Sequence, residues 1–252
     1  MFVGPGGAAA QHAHHAVQLV WSLDGEFTVT LEQPVLRHAT LIPAGVAHAL
    51  DTTGRRIIMI FAEPHGSRGA SLDRRARACL GAEVVDDLAS IRFPDLGLDV
   101  EEAGRWCDGT LAALGADEQL SALSSISRRA IAYVESAIGG KPQLAEAARR
   151  AGVSPTRLTH VFSREVGIPF RRFVLWSRLR QAVLSTQAGH DLTEAALAAG
   201  FSDSAHLSRT FRAMFGLSPS LVLPLAEIVG SLSPDCRGAG VPARCWPGLH
   251  LR

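Results

Sequence analysis

Two groups of side chains in this chain are of types and spacings that could do chemistry. Six of the ten histidines fall within residues 12–65. In an extended strand alternate residues share a face, so His12 and His14 are expected to point the same way, and neutral imidazoles are good transition-metal ligands. The second group is a set of arginine, hydroxyl and imidazole side chains between residues 154 and 212. It is suited to hydrogen bonding with base edges and phosphates.

Charge separates these groups. The chain balances 25 Lys and Arg against 24 Asp and Glu, and a uniformly basic coat is therefore excluded. Residues 125–224 nevertheless hold 13 basic and 6 acidic residues, net +7, which leaves −6 on the remainder. Lys141 is the only lysine, so cationic contacts are biased toward guanidinium chemistry. A compact basic half joined to an acidic one points to a polyanion-binding unit fused to something else. With 47 % hydrophobic and 19 % charged residues the chain can build ordinary globular cores.

No segment predicts a membrane span, and the opening Met-Phe-Val-Gly-Pro lacks the basic region of a secretory leader. Cys79, Cys107, Cys236 and Cys245 form no C-x-x-C pair and fit a reduced, cytoplasmic protein. No Ser/His/Asp triad, phosphate loop or paired catalytic carboxylates stand out, and the expectation is a protein that is not an enzyme.

The elements that must position these residues change character along the chain. Residues 15–62 read as short strands: Ala16–Leu23, Phe27–Leu31, Ala39–Ile42, Val46–Leu50 and Ile57–Phe61. Asp24-Gly25 predicts a hairpin between the first two. Further strands are expected at Phe2–Gly4 and near Val84 and Ile91. From about residue 70 helical periodicity takes over, at Ser71–Leu80, Asp99–Leu114, Ser124–Ile138, Leu144–Gly152 and most of 155–220. Strands first and helices second imply an α+β multidomain chain. The expected division is a β domain at 1–66, a helical linker or dimerisation region at 67–123, an all-α domain at 124–224 and a tail at 225–252. Within 99–115, Val100, Ala103, Cys107, Leu111 and Leu114 form one apolar stripe, available either to the β domain or to a second copy. The Pro-, Gly- and Arg-rich segment from Ser231 reads as a poorly ordered extension.

The all-α half contains a repeat. Leu144, Glu146, Ala147, Ala148, Ala151 and Gly152 match Leu192, Glu194, Ala195, Ala196, Ala199 and Gly200 at an offset of 48. Leu158, Phe162 and Gly167 then match Leu207, Phe211 and Gly216 at 49. Each copy has the logic of a helix-turn-helix: a small-residue helix, a glycine turn, a cap at Ser154 or at Ser202/Asp203, and a second helix with two inward apolar residues four apart. The outward faces carry Thr156, Arg157, Thr159, His160 and Arg164, then Ser204, Ala205, His206, Ser208, Arg209 and Arg212. The helix between the copies carries Arg171, Arg172, Arg178 and Arg180, which read as one basic face.

On these residues, above all the turns Ala148–Ser154 and Ala196–Ser202 and the endings at Phe162 and Phe211, residues 124–224 resemble the DNA-binding domain of the AraC/XylS family of bacterial transcription regulators. The resemblance implies two recognition helices entering successive major-groove segments of promoter DNA. Ser154, Thr156, Arg157, Thr159, His160, Arg164, Ser204, Ala205, His206, Ser208, Arg209 and Arg212 are then the DNA-binding candidates. Thr156, Thr159, His160, Ser204, Ala205 and Arg209 are the base-facing ones. A homodimer and contact with RNA polymerase are expected partners.

The N-terminal part resembles the cupin family. His12-x-His14, Gln18 and Gly25 are similar to the first cupin motif, and Pro43-x-Gly45-x-x-His48 to the second. The resemblance implies a cupin-like sensor in which His12, His14, Gln18 and His48 bind either a small molecule or a divalent transition metal as cofactor. Gln18 stands where the family has a glutamate, which lowers the site's negative charge. His15, of opposite parity, is expected to face outward, with His38 and His65 in surface loops. The leading reading is a ligand-responsive transcription regulator. A metal-dependent cupin enzyme with a helical appendage and an architectural DNA-binding protein are the alternatives.

Overall fold

The computed structural model describes residues 1–79, 100–114, 123–223 and 227–228. Eight strands come first: β1 (Phe2–Pro5), β2 (Ala8–His12), β3 (Val17–Ser22), β4 (Phe27–Thr30), β5 (Pro34–Arg37), β6 (Ala39–Ile42), β7 (His48–Asp51) and β8 (Arg56–Ala62). A short β9 (Glu227–Ile228) returns to pair with β1. All pairings are antiparallel and build two sheets, ordered β6-β3-β8-β1-β9 and β2-β7-β4-β5. Ala9, Val20, Phe27, Val29, Ile42 and Leu50 fill the space between the sheets. Alternation on β3 then dictates that Gln18, two residues before Val20, points into the same interior, where it lies opposite Ile42 on one side and Phe61 on the other.

The other face of the first sheet is covered by helices α1 (Ser67–Ala78) and α2 (Val100–Ala113). Leu72 and Ala76 of α1, Cys107 and Leu111 of α2, and Leu114 just beyond it are buried with Val17, Leu19, Ile58 and Ile60. The lower part of the 99–115 stripe is therefore spent within the chain. Cys107 sits in that core, and burial pushes its thiol up to about 12.

Asp24-Gly25 does not close a hairpin. β3 and β4 belong to different sheets, and the turn carries the chain from one to the other, with Gly25 at φ +135°. The tight hairpin is β4–β5 instead. The expected strands near Val84 and Ile91 and the segment from Ser231, with Cys236 and Cys245, lie outside the described residues.

The helical half comprises α3 (Ser125–Ser136), α4 (Leu144–Ala151), α5 (Pro155–Val166), α6 (Phe170–Gln187), α7 (Leu192–Ala198), α8 (Ser204–Phe215) and the short α9 (Pro219–Val222). It has two cores. α3, α4, α5 and the start of α6 bury Tyr133, Val134, Leu158, Phe162 and Phe173. The end of α6 with α7 and α8 buries Leu179, Ala182, Phe201, Leu207 and Phe211. The 18-residue α6 is common to both. Local signals are satisfied at several boundaries. Ser154 Oγ accepts the Arg157 N–H at the start of α5, and Gly152 ends α4 in the left-handed region at φ +73°. Asp191 and Glu194 form a reciprocal capping box on α7. Asp203, rather than Ser202, caps α8.

Candidate functional site

The outer faces of α5 and α8 stand as the helical period requires. Leu158 and Phe162 point inward, and Thr156, Arg157, Thr159, His160 and Arg164 are exposed. In α8, Ala205, Arg209 and Arg212 are exposed while Ser204, His206 and Ser208 are half-buried. Arg164 pairs with Glu165 at 3.6 Å, and three further candidates have internal hydrogen bonds. Ser154 is the α5 cap, Thr159 Oγ1 donates back to the Pro155 carbonyl at 3.0 Å, and His206 Nδ1 lies 3.2 Å from Ser202 Oγ, its ring edge-on to Phe201. On α6, only part of the expected basic face exists. Arg171 and Arg172 are exposed, whereas Arg178 donates to the Gly140 carbonyl (2.8 Å) and Arg180 turns toward the β domain.

Inside the β domain His12, His14 and His48 come together. His12 ends β2, His48 opens β7 opposite it, and His14 lies in the link after β2 rather than on that strand. Ring centroids are 5.6 Å (His12–His14), 4.2 Å (His12–His48) and 5.2 Å (His14–His48) apart. Each Nδ1 meets a backbone carbonyl: Ala10 at 2.8 Å, Ala16 at 3.0 Å and Val46 at 2.9 Å. A neutral imidazole carries one N–H, and with that proton on Nδ1, donated to the carbonyl, each Nε2 presents a lone pair. The Gln18 carbonyl oxygen lies 2.9 Å from His14 Nε2 and 3.0 Å from His48 Nε2, while its amide nitrogen is directed to the Met59 sulfur at 3.2 Å. Burial, reinforced by the neighbouring imidazoles, pushes His14 down to about 4 and His48 to about 3, and it lowers His12 as well. All three rings are therefore neutral near pH 7, the form that ligates metals. The His/His/His/Gln set anticipated from the two motifs is thus assembled.

The expectation for His15 and His65 fails. His15 does face away from His14, but the helical domain lies on that side, and its side chain is only 5 % exposed. Trp176 and Phe173 of α6 meet its ring edge-on. His65 stacks on His15 with centroids 5.7 Å apart. Between them stands Glu63, which continues the inward alternation of β8 and was not anticipated. Its Oε1 accepts from Trp176 Nε1 (2.6 Å) and from Arg180 (3.0 Å). Burial alone would raise the Glu63 carboxyl, but Arg180, His65 and His15 hold it below the usual range. Only the i, i+2 spacing of Glu63 and His65 hinted at this group; the α6 partners Trp176 and Arg180 are more than 100 residues from Glu63.

A second joint links the domains. Gly216, at φ +74°, ends α8, and its carbonyl accepts the Ala10 N–H of β2 at 3.0 Å. A Cβ on Gly216 would stand 2.2 Å from the Ala10 carbonyl oxygen and 2.8 Å from His12 Nδ1. The backbones can approach this closely only because the residue is glycine. Between the two joints lies a largely apolar cavity of about 300 Å³. Leu50, Met59 and Phe61 wall it on one side and Leu179, Val183, Phe211 and Phe215 on the other, with His12, Gln18, Glu63 and Arg180 contributing polar edges.

Two helix-turn-helix units sharing a helix are docked on a two-sheet β domain. Residues 147–223 match the family model of a helix-turn-helix domain. No curated protein matches the chain. Among solved structures, ToxT from Vibrio cholerae aligns with a TM-score of 0.55 at 13 % identity, over 90 % of this chain and 97 % of that one. The same protein solved with an unsaturated fatty acid bound aligns at 0.51 and 9 % identity, over 91 % and 95 %. The two proteins thus share a fold along nearly their whole length. A probable AraC family transcriptional regulator from Rhodopseudomonas palustris is 29 % identical over 40 % of this chain and 96 % of its own, with a TM-score of 0.37. Among the described residues no helix is long and apolar enough to cross a membrane.

Proposed function

We propose that the chain is a sequence-specific transcription regulator that binds promoter DNA through α5 and α8 and responds to a ligand held against the β domain. One observation carries the ligand-responsive part. The cavity is walled by both domains and lies beside the Gly216–Ala10 contact, so an occupant touches the recognition helix and the β domain at once. A ligand that prefers one docking of these surfaces shifts the population of that arrangement, and with it the presentation of α8. The mostly apolar lining favours a ligand with an apolar body, and the fatty acid bound by ToxT, a protein of the same fold, supports that class.

A second ligand is favoured by the acceptors around the histidines. His14 and His48 each face an oxygen at both ring nitrogens, so a neutral ring leaves one contact without a proton, which a cation among Nε2 and the Gln18 oxygen would relieve, and ring N–H groups held by carbonyls are the usual outer support of ligating histidines. His12, His14 and His48 would hold a divalent transition metal, with Gln18 as an oxygen donor. Such a metal would supply a fixed positive charge that tethers β2 to β7. The protein's own part is to orient the rings through the Ala10, Ala16 and Val46 carbonyls.

The test is a genome-fragment binding selection with the purified chain, sequenced at two salt concentrations, with and without a panel of apolar carboxylic acids. Enrichment of discrete sites made of two half-sites about one helical turn (~34–36 Å) apart is expected. Ligand dependence should be lost in Val183→Trp, which fills the cavity, while enrichment persists. Equal recovery of random duplex at both salt concentrations would make the chain an architectural DNA binder instead.

A further inference from the structure

His14 and His15 are consecutive and face opposite ways, so the chain has polar clusters back to back, and the metal reading proposed above uses only the one containing His14. On the far side, His15 Nε2 lies 3.9 Å from Glu63 Oε2, and His65 Nδ1 lies 3.6 Å from the same oxygen. These separations are too long for hydrogen bonds. They are close to the edge, about 3.4 Å, of a tetrahedron whose metal–ligand bonds are about 2.1 Å. All three donor atoms lie within 4.8 Å of one another. His15 Nε2 and Glu63 Oε2 are buried without a hydrogen-bond partner, a state that buried polar atoms rarely keep unless an ion or water completes them. A cleft of about 290 Å³, bordered by His15, Pro64, Arg172 and Trp176, adjoins the group on the His15 side.

We propose that His15, Glu63 and His65 form a binding site for a divalent transition metal of the Zn2+ type, separate from the His12/His14/His48 cluster. Two imidazoles and one carboxylate leave a fourth position for water or an exogenous donor. The site lies on the domain boundary. Glu63 gives Oε2 to the metal while its Oε1 stays bonded to Trp176 and Arg180 of α6, so a single carboxylate joins the ion to the helical domain. His15 is anchored by packing rather than by a carbonyl, its ring edge-on to Phe173 and Trp176.

Full-length protein stripped with a chelator is titrated with Zn2+, and bound metal is counted by elemental analysis. His15→Ala and Glu63→Gln should each bind one equivalent fewer than the parent. His12→Ala/His48→Ala should retain the equivalent that His15→Ala loses, whether or not the first cluster binds metal. The variant His65→Cys, loaded with Co2+, should show a near-ultraviolet thiolate-to-cobalt band that the parent lacks. That gain of signal does not depend on the stability of the deletion variants. Unchanged stoichiometry in His15→Ala, no uptake by the parent, or a folded His65→Cys without the band would each overturn the site. DNA selection by the same variants reports on the regulator reading independently.

Discussion

At the scale of single residues, the outward faces of α5 and α8 were legible because the 3.6-residue period separates Leu158/Phe162 and Leu207/Phe211 from their outward neighbours. Arg209 is exposed mid-helix on α8. Replacing it with alanine is expected to cost about 1–3 kcal/mol on the cognate site and much less on random duplex, measured by competition binding. Equal losses on both would make it a phosphate contact. Phe162 is fully buried against Phe170 and Phe173, with ring centroids 5.6 and 5.4 Å away. Phe162→Ala should remove about 3–5 kcal/mol of stability in denaturant unfolding. His12, His14, Gln18 and His48 were also readable, from two short motifs. His15 and Glu63 were not, because strand parity gives the direction of a side chain but not what lies there. In this chain the outside of the β domain is the inside of the molecule.

At the scale of elements, turns were legible and their partners were not. Asp24-Gly25 is a genuine reversal, but the pairing that makes a hairpin is decided by the sheets, which place β3 beside β6 and β8. β5 went unrecognised because Pro34 and the exposed Leu36 are typical of an edge strand, which lacks the alternation of a half-buried one. The helix ends permit a sharper test. Gly152 and Gly216 both end helices at positive φ, +73° and +74°. An added Cβ meets nothing at Gly152, whereas at Gly216 it collides with β2. Gly152→Ala should therefore cost only the left-handed strain, about 1–2 kcal/mol. Gly216→Ala should cost more and should in addition separate the domains, which faster amide exchange at Ala10 would reveal. Equal effects of the two substitutions would mean that the Gly216–Ala10 contact contributes nothing.

At the scale of the whole molecule, the division into a strand-rich and a helical half, and the duplication within the second, were readable from charge and periodicity. The docking of the halves was not. It rests on contacts such as Trp176–Glu63 and Ala10–Gly216, between residues more than 100 positions apart. If that docking carries the ligand response, Trp176→Phe, which removes the donor to Glu63 but keeps the aromatic packing, should weaken the effect of ligand on DNA binding by severalfold while leaving ligand-free binding within twofold. An unchanged response would exclude the Glu63 joint from the coupling.

The helix shared by both cores has a consequence for the DNA itself. At 1.5 Å per residue, the 18 residues of α6 measure about 27 Å, and each end is buried in the core of a different reading head. Heads on a flexible tether would tolerate any whole-turn change in the distance between their half-sites. Heads fixed to a rigid bar would not. One base pair inserted between the half-sites moves the second out of phase, and a full turn of about 10 base pairs restores the phase but not the distance. On the proposed function, the molecule would act as a gauge of fixed length, and a promoter would be recognised by the interval between its two words as much as by their letters.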